Sequence, residues 1–94
     1  MSNKSGSLTA SWSNIGTGAV NANSFKSLTG TVATVSGYTC IGIVGITSYQ
    51  APSIIITSYS VSGSSYSVEV QNSTATRITL AASDVSIKCL YYKN

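Results

Sequence analysis

VSGYTCIGIVGI, residues 35–46, is the most hydrophobic stretch of the chain and decides its predicted fold. A Ser-Gly turn opens it, and a strand is expected from about Tyr38 to Tyr49. Gly42 and Gly45 leave space where another backbone or an aromatic ring can approach closely. Polar and apolar residues do not alternate here, so the pattern predicts that both faces are apolar, with Ile41 and Ile43 pointing one way and Val44 and Ile46 the other.

The composition indicates one small all-β domain. Of the 94 residues, 43% are hydrophobic and only 7% are charged, whereas disordered chains show the opposite balance. Serine and threonine supply 30 residues. Thr, Val, Ile and Tyr suit a pleated, half-buried surface, and Gly and Ser suit turns. A chain of this size can form one modest core.

About seven short antiparallel strands are expected, in a single β-sandwich or jelly-roll-like domain that spans residues 1–94. Residues 1–5 are a polar lead-in. Alternation through residues 6–13 predicts a half-buried first strand in which Trp12 anchors the core. The predicted strands are residues 6–13, 24–35 with a bulge at Gly30, 38–49, 53–61, 65–71, 77–81 and 85–92.

Three of these strands carry apolar residues on both faces, at residues 41–46, 54–56 and 90–92. In a two-layer sandwich each sheet turns one face to the core and one to solvent, and a chain this small cannot cover both outer faces itself. Large exposed apolar patches mark interfaces, which favours a homo-oligomer. The alternative is that sheet ends and loops hide these residues within a monomer. The interface candidates are Val44, Ile46, Ile55, Leu90 and Tyr92.

The chain lacks the residues on which most catalytic sites depend, so we expect a non-enzyme without cofactor or metal. It has no histidine, which excludes Ser-His and Cys-His nucleophile pairs. The only side-chain carboxylates are Glu69, at an outward strand position, and Asp84, in a turn. The five Lys and Arg residues are scattered, which argues against a nucleic-acid partner. No stretch approaches the roughly 20 apolar residues of a membrane helix, so no membrane insertion is expected.

Cys40 and Cys89 both fall within predicted strands. Two cysteines without a histidine are too few for a zinc site. The sequence leaves two alternatives open: two buried thiols that act as small hydrophobes, or one disulfide that links these two strands. Synthesis in a reducing cytosol favours the thiols.

Eight aromatic residues remain as candidates for a binding surface. Tyr66 and Tyr91 fall on core faces by alternation. Tyr49 lies at a strand end beside the turn at residues 50–52 and is the better exposed candidate for ligand contact, with Tyr59 as a second. Tyrosine-rich and hydroxyl-rich loops suit contact with glycans or proteins, since the rings give apolar platforms with polar tips.

Two separated patches carry a family resemblance: SGYTCIGIVGI at residues 36–46 and VSIKCLYYK at residues 85–93, with YSVSG and VEVQN between them. In this order they resemble the C-terminal β-domain of tail-associated and minor structural proteins of phages that infect Gram-positive, often gut, bacteria. The resemblance covers residues 25–93. The chain departs from it at Cys40, where proline is usual, and at Cys89, where valine or isoleucine is usual. Because both departures are cysteine, they strengthen the disulfide alternative.

The resemblance implies a virion structural protein, usually trimeric, at the distal end of a tail fibre or baseplate and presented to the host surface. The hypothesis that follows is a receptor-binding tip that contacts host cell-surface polysaccharide. The resemblance transfers no ligand-binding residues. We expect synthesis in the bacterial cytoplasm, because the start of the chain has no apolar signal region, followed by assembly into the virion tail, either as a standalone protein or as part of a longer fibre. Two alternatives stay open: a capsid-decoration or tail-assembly module that binds other virion proteins, and a bacterial lectin-like or adhesin domain.

Overall fold

The computed structural model describes residues 7–94, which form an all-β fold as predicted; the lead-in at residues 1–5 lies outside the described residues. Residues 7–94 form eight strands where about seven are expected, because a short strand lies in the predicted loop at residues 14–23. A 3-10 turn, Ala82–Asp84, precedes the last strand. The strands are β1 (Leu8–Asn14), β2 (Ala19–Val20), β3 (Phe25–Thr31), β4 (Tyr38–Ser48), β5 (Ile54–Ser62), β6 (Ser65–Asn72), β7 (Ile78–Thr79) and β8 (Val85–Lys93).

The strands form two three-stranded antiparallel sheets and one small pair. Sheet I has the order β1-β8-β4, and sheet II has the order β3-β6-β5. β2 and β7 pair with each other. Residues from both larger sheets belong to one buried cluster, so the two sheets pack as a β-sandwich.

The core lies between the two sheets, with β8 at its centre. Alternation along β8 turns Val85, Ile87, Cys89 and Tyr91 inward, and each is at most 1% exposed. The Tyr91 hydroxyl donates a hydrogen bond to the Ala33 carbonyl oxygen at 2.7 Å, so this ring is buried without leaving its polar end unpaired. The other core residues are Ile15, Val20, Leu28, Val32, Ile54, Val68, Val70 and Leu80.

β1 forms where its alternation predicts, but its apolar row faces away from the core instead of toward it. Its register sets Ser11 opposite Cys89 and Ser13 opposite Ile87, and residues directly opposite share a face of the sheet. The small hydroxyl residues of β1 therefore face the core side. Trp12 lies on the outer side and is 51% exposed, so its predicted role as a core anchor is wrong.

β4 fails to alternate because its pairing with β8 is irregular in two places. The register shifts between Cys40 and Gly42 and again between Ile43 and Gly45. Each shift inserts one residue that has no partner, and such bulges change which residues share a face. The predicted grouping of Ile41 with Ile43, and of Val44 with Ile46, is therefore wrong. Cys40, Ile43 and Ile46 lie opposite the buried residues of β8. Ile41 and Val44 are more than half exposed.

The bulge predicted at Gly30 is also wrong. Gly30 pairs with Tyr66 in an unbroken register between β3 and β6. A side chain at this position would meet the Tyr66 ring, with a Cβ only 2.7 Å from its hydroxyl oxygen. The glycine is thus required by a tyrosine that covers it, not by an irregular strand.

Candidate functional site

The outer face of sheet I carries four of the seven large hydrophobic side chains that are exposed among the described residues. β1 contributes Leu8 and Trp12, which are about half exposed, at 50% and 51%. β4 contributes the two bulge residues Ile41 and Val44, at 55% and 54%. β8 runs between them and adds its outward residues, Lys88, Leu90 and Tyr92, which are half-buried.

A groove lies at one end of this outer face, between the end of β1 and the turn that precedes β8. Its volume is about 480 Å³, within the range of roughly 300–1,000 Å³ that ligand sites occupy. Two exposed rings flank it, and Tyr49 is 69% exposed, the most of any large apolar side chain described. We call it the Trp12–Tyr49 groove; it is lined by Trp12, Asn14, Tyr49, Ser83, Asp84 and Ser86.

Glycine and lysine hold the Trp12 ring across the sheet. A Cβ on Gly45 would lie 3.3 Å from the edge of the indole, so the absence of a side chain at residue 45 leaves room for the Trp12 ring. The Lys88 ammonium lies 5.9 Å from the ring centroid, within the range of a cation–π contact. The expectation that a ring approaches one of the β4 glycines is met at Gly45, while Gly42 faces open space.

The polar wall of the groove is fixed by hydrogen bonds. Asp84 accepts from the Ala81 backbone N–H at 2.8 Å and from the Gln50 amide at 3.2 Å, and its carbonyl oxygen accepts from the Tyr49 N–H at 2.9 Å. These contacts tie the 3-10 turn to the strand end that carries the Tyr49 ring. Opposite them, the Ser86 hydroxyl donates to Asn14 Oδ1 at 2.8 Å.

This arrangement suits a ligand with both apolar faces and hydroxyl groups. Two rings give flat apolar platforms, while amide, hydroxyl and carboxylate groups beside them can donate and accept hydrogen bonds. Sugars have this combination of C–H faces and hydroxyls. Sequence reasoning identifies Tyr49 but misses Trp12, because alternation in β1 does not show whether its apolar row faces the core or the solvent.

The second predicted contact residue, Tyr59, lies elsewhere. It is 52% exposed and lines a cleft of about 440 Å³ between β4 and β5, together with Ile46 and Ile56. The structure therefore does not bring Tyr49 and Tyr59 into one site.

The five predicted interface residues are divided among three surfaces. Val44, Leu90 and Tyr92 belong to the outer face of sheet I. Ile46 turns inward and lines the cleft, and Ile55 pairs with Gln71 in sheet II. Sequence reasoning missed the β1 part of the apolar surface, Leu8 and Trp12.

Cys40 and Cys89 are free thiols in the structure, the first half-buried and the second buried. Of the two alternatives, the structure therefore has the two thiols and no disulfide; the register sets Cys40 opposite Tyr91 and Cys89 opposite Ile43. The two cysteines lie on neighbouring strands of sheet I, and their thiols are close enough to interact. Burial first, and then the neighbouring Cys40, raise the pKa of the Cys89 thiol from 9.0 to about 11.

This raised pKa predicts a loss of stability in alkali. The folded state holds the Cys89 proton more tightly than the unfolded chain, so the contribution is complete below pH 9 and is lost as the pH rises toward 11. We expect the free energy of unfolding to fall by about 2 kcal/mol over this window. In urea titrations at pH 8 and pH 10.5, Cys89→Ala should show a smaller fall than wild type; equal falls would refute the assignment.

Among residues 7–94, no cluster of three or more His, Cys, Asp or Glu residues is present. The same residues include no helix that is long and apolar enough to cross a membrane. The chain matches no protein-family model, and neither a curated protein nor a solved structure is significantly similar to it.

Proposed function

We propose that this chain is a non-enzymatic module of a phage virion, the receptor-binding tip of a tail fibre, and that it binds host cell-surface glycan in the Trp12–Tyr49 groove. The observation that carries the binding proposal is the groove itself, in which two exposed rings stand beside fixed polar groups. A monomeric protein seldom leaves two large rings exposed at one cleft without a ligand or partner.

The virion assignment is supported by the two resembling patches, residues 36–46 and 85–93. They form most of β4 and all of β8, which are neighbouring strands of sheet I. In such a tip, several copies present their grooves together, and weak single sites then combine into tight attachment. The trimer that the resemblance implies is one such arrangement.

Removing either ring should weaken glycan binding. We expect Tyr49→Ala and Trp12→Ala each to reduce affinity for purified host cell-wall polysaccharide by tenfold or more, because loss of a central aromatic contact costs about 2 kcal/mol and about 1.4 kcal/mol is tenfold. Isothermal titration calorimetry measures this directly. Circular dichroism and thermal melting establish that the variants remain folded.

Tyr59→Ala is the matched control. Tyr59 is an exposed tyrosine outside the groove, so its loss should leave affinity unchanged. Folded wild-type protein that binds no host polysaccharide would contradict the proposal, as would Tyr49→Ala and Trp12→Ala variants that bind as tightly as Tyr59→Ala.

The apolar outer face of sheet I favours a second candidate, an assembly module that binds other virion proteins. Leu8, Ile41 and Val44 are exposed there, away from the groove. This candidate predicts co-assembly with virion components and no affinity for glycan. The calorimetric titration therefore separates the two.

A further inference from the structure

β1 is an edge strand of sheet I, and no other strand within residues 7–94 pairs with its outer side. Ser7 accepts a hydrogen bond from the Lys93 N–H, and the Ile15 N–H donates to Val85 at the other end. In an antiparallel pair, hydrogen-bonded positions alternate along each strand. The odd-numbered residues of β1 therefore bond to β8, and the N–H and C=O groups of the even-numbered residues point away from the sheet. These are Leu8, Ala10, Trp12 and Asn14.

Edges of this kind are normally protected by charge, proline or bulges, because their free backbone groups can pair with another strand. β4 is interrupted by two register shifts and β5 by one. β1 has an unbroken seven-residue register and carries no charged side chain. Among residues 7–94, no backbone or side-chain group bonds to the free N–H and C=O groups of β1.

We propose that the β1 edge pairs with β1 of a second copy of this chain, antiparallel and about a two-fold axis through Ser11. In this register Ala10 faces Trp12 of the second copy and Leu8 faces Asn14, so each large side chain meets a smaller one. All four outward residues then find partners, and each facing pair exchanges two hydrogen bonds. The result is a continuous six-stranded sheet, β4-β8-β1-β1-β8-β4.

A second copy fits this edge on both hydrogen bonding and charge. Four facing pairs with two bonds each supply about eight backbone hydrogen bonds, close to the roughly ten direct bonds of a typical interface. The chain carries a net charge of +3, but β1 itself is uncharged, so two copies can approach here without like charges meeting directly. The pairing also sets two Trp12–Tyr49 grooves side by side on one face of the joined sheet.

The test is the oligomeric mass of the full chain and of an edge variant. Ala10→Pro removes one outward N–H and leaves the bonds to β8 in place, since proline is tolerated where an edge N–H faces solvent. By sedimentation velocity at micromolar concentrations, we expect wild type at twice the 9.7 kDa chain mass. Ala10→Pro should sediment as the single chain.

Ser27→Pro is the matched control on the edge strand β3. The Asn72 N–H bonds to Ser24 and the Val32 N–H to Ser64, so the Ser27 N–H also points to a free edge. This variant should remain a dimer. If Ala10→Pro fails to fold, Ala10→Lys replaces it as the test, because it places a charge at the same edge without changing the backbone. Ala10→Lys should also sediment as the single chain. Wild type that sediments as a monomer or a trimer would overturn the inference, and so would an Ala10→Lys variant that remains a dimer. None of these outcomes bears on glycan affinity.

Discussion

Asn72→Ala is expected to lower the free energy of unfolding by about 4 kcal/mol, the largest effect of any single substitution considered. The Asn72 side chain is fully buried. Its amide nitrogen donates to the carbonyl oxygens of Val20 at 3.0 Å and Thr76 at 2.8 Å. Its oxygen accepts from the Thr74 N–H and hydroxyl. Each lost bond costs about 1 kcal/mol, and more where a buried group is left unpaired.

The neighbouring serine provides the control for this prediction. Ser73 donates to the Pro52 carbonyl oxygen at 2.8 Å from the exposed side of the same turn. Ser73→Ala should therefore cost under about 1 kcal/mol. Urea unfolding of both variants measures the difference, and an Asn72→Ala protein within 1 kcal/mol of wild type would show that these four bonds do not hold β2 and the turn to β6.

Gly16→Ala is expected to cost about 3 kcal/mol, which is roughly 15 °C in melting temperature for a domain of this size. A Cβ on Gly16 would lie 2.1 Å from the Ala81 carbonyl oxygen, and a backbone atom cannot rotate aside. The Gly16 N–H also donates to the Ala82 carbonyl oxygen at 3.0 Å. Relief of the clash must move the 3-10 turn that carries Ser83 and Asp84, so glycan affinity should fall as well.

Gly42→Ala is the comparison for that substitution. A Cβ on Gly42 meets nothing within 4 Å. Alanine in a strand is also somewhat more favourable than glycine, so we expect a melting temperature equal to or slightly above that of wild type. If Gly16→Ala and Gly42→Ala have the same melting temperature, residues 15–16 do not pack closely against residues 81–82.

The sequence predicted the all-β class and most strands because period-two alternation survives wherever pairing is regular. β8 is the best example, since its four core residues follow the pattern without exception. Alternation shows which residues share a face but not which face turns inward. For β1 that choice is made by its register with β8, a long-range contact that local sequence does not encode, which is why alternation alone places Trp12 on the wrong side.

The candidate site was only partly predictable for the same reason. Tyr49 could be identified because it follows a hydrophobic strand and precedes a turn. The sequence identifies Asp84 as a turn residue, but its proximity to Trp12 depends on how β1, β4 and β8 align. Alternation does not predict the two bulges in β4 either, although the apolar residues at 40, 43 and 46, spaced by three, are a local signal for them.

The most direct test of glycan binding uses the single tryptophan of the chain, which lies in the groove. Purified host cell-wall polysaccharide is titrated into the protein while Trp12 fluorescence is recorded. A sugar that covers the half-exposed ring removes water from it, so we expect a saturable blue shift in wild type and in Tyr59→Ala, and none at the same concentrations in Tyr49→Ala. Polysaccharide that binds the protein without changing Trp12 emission, or that does not bind at all, would contradict the account.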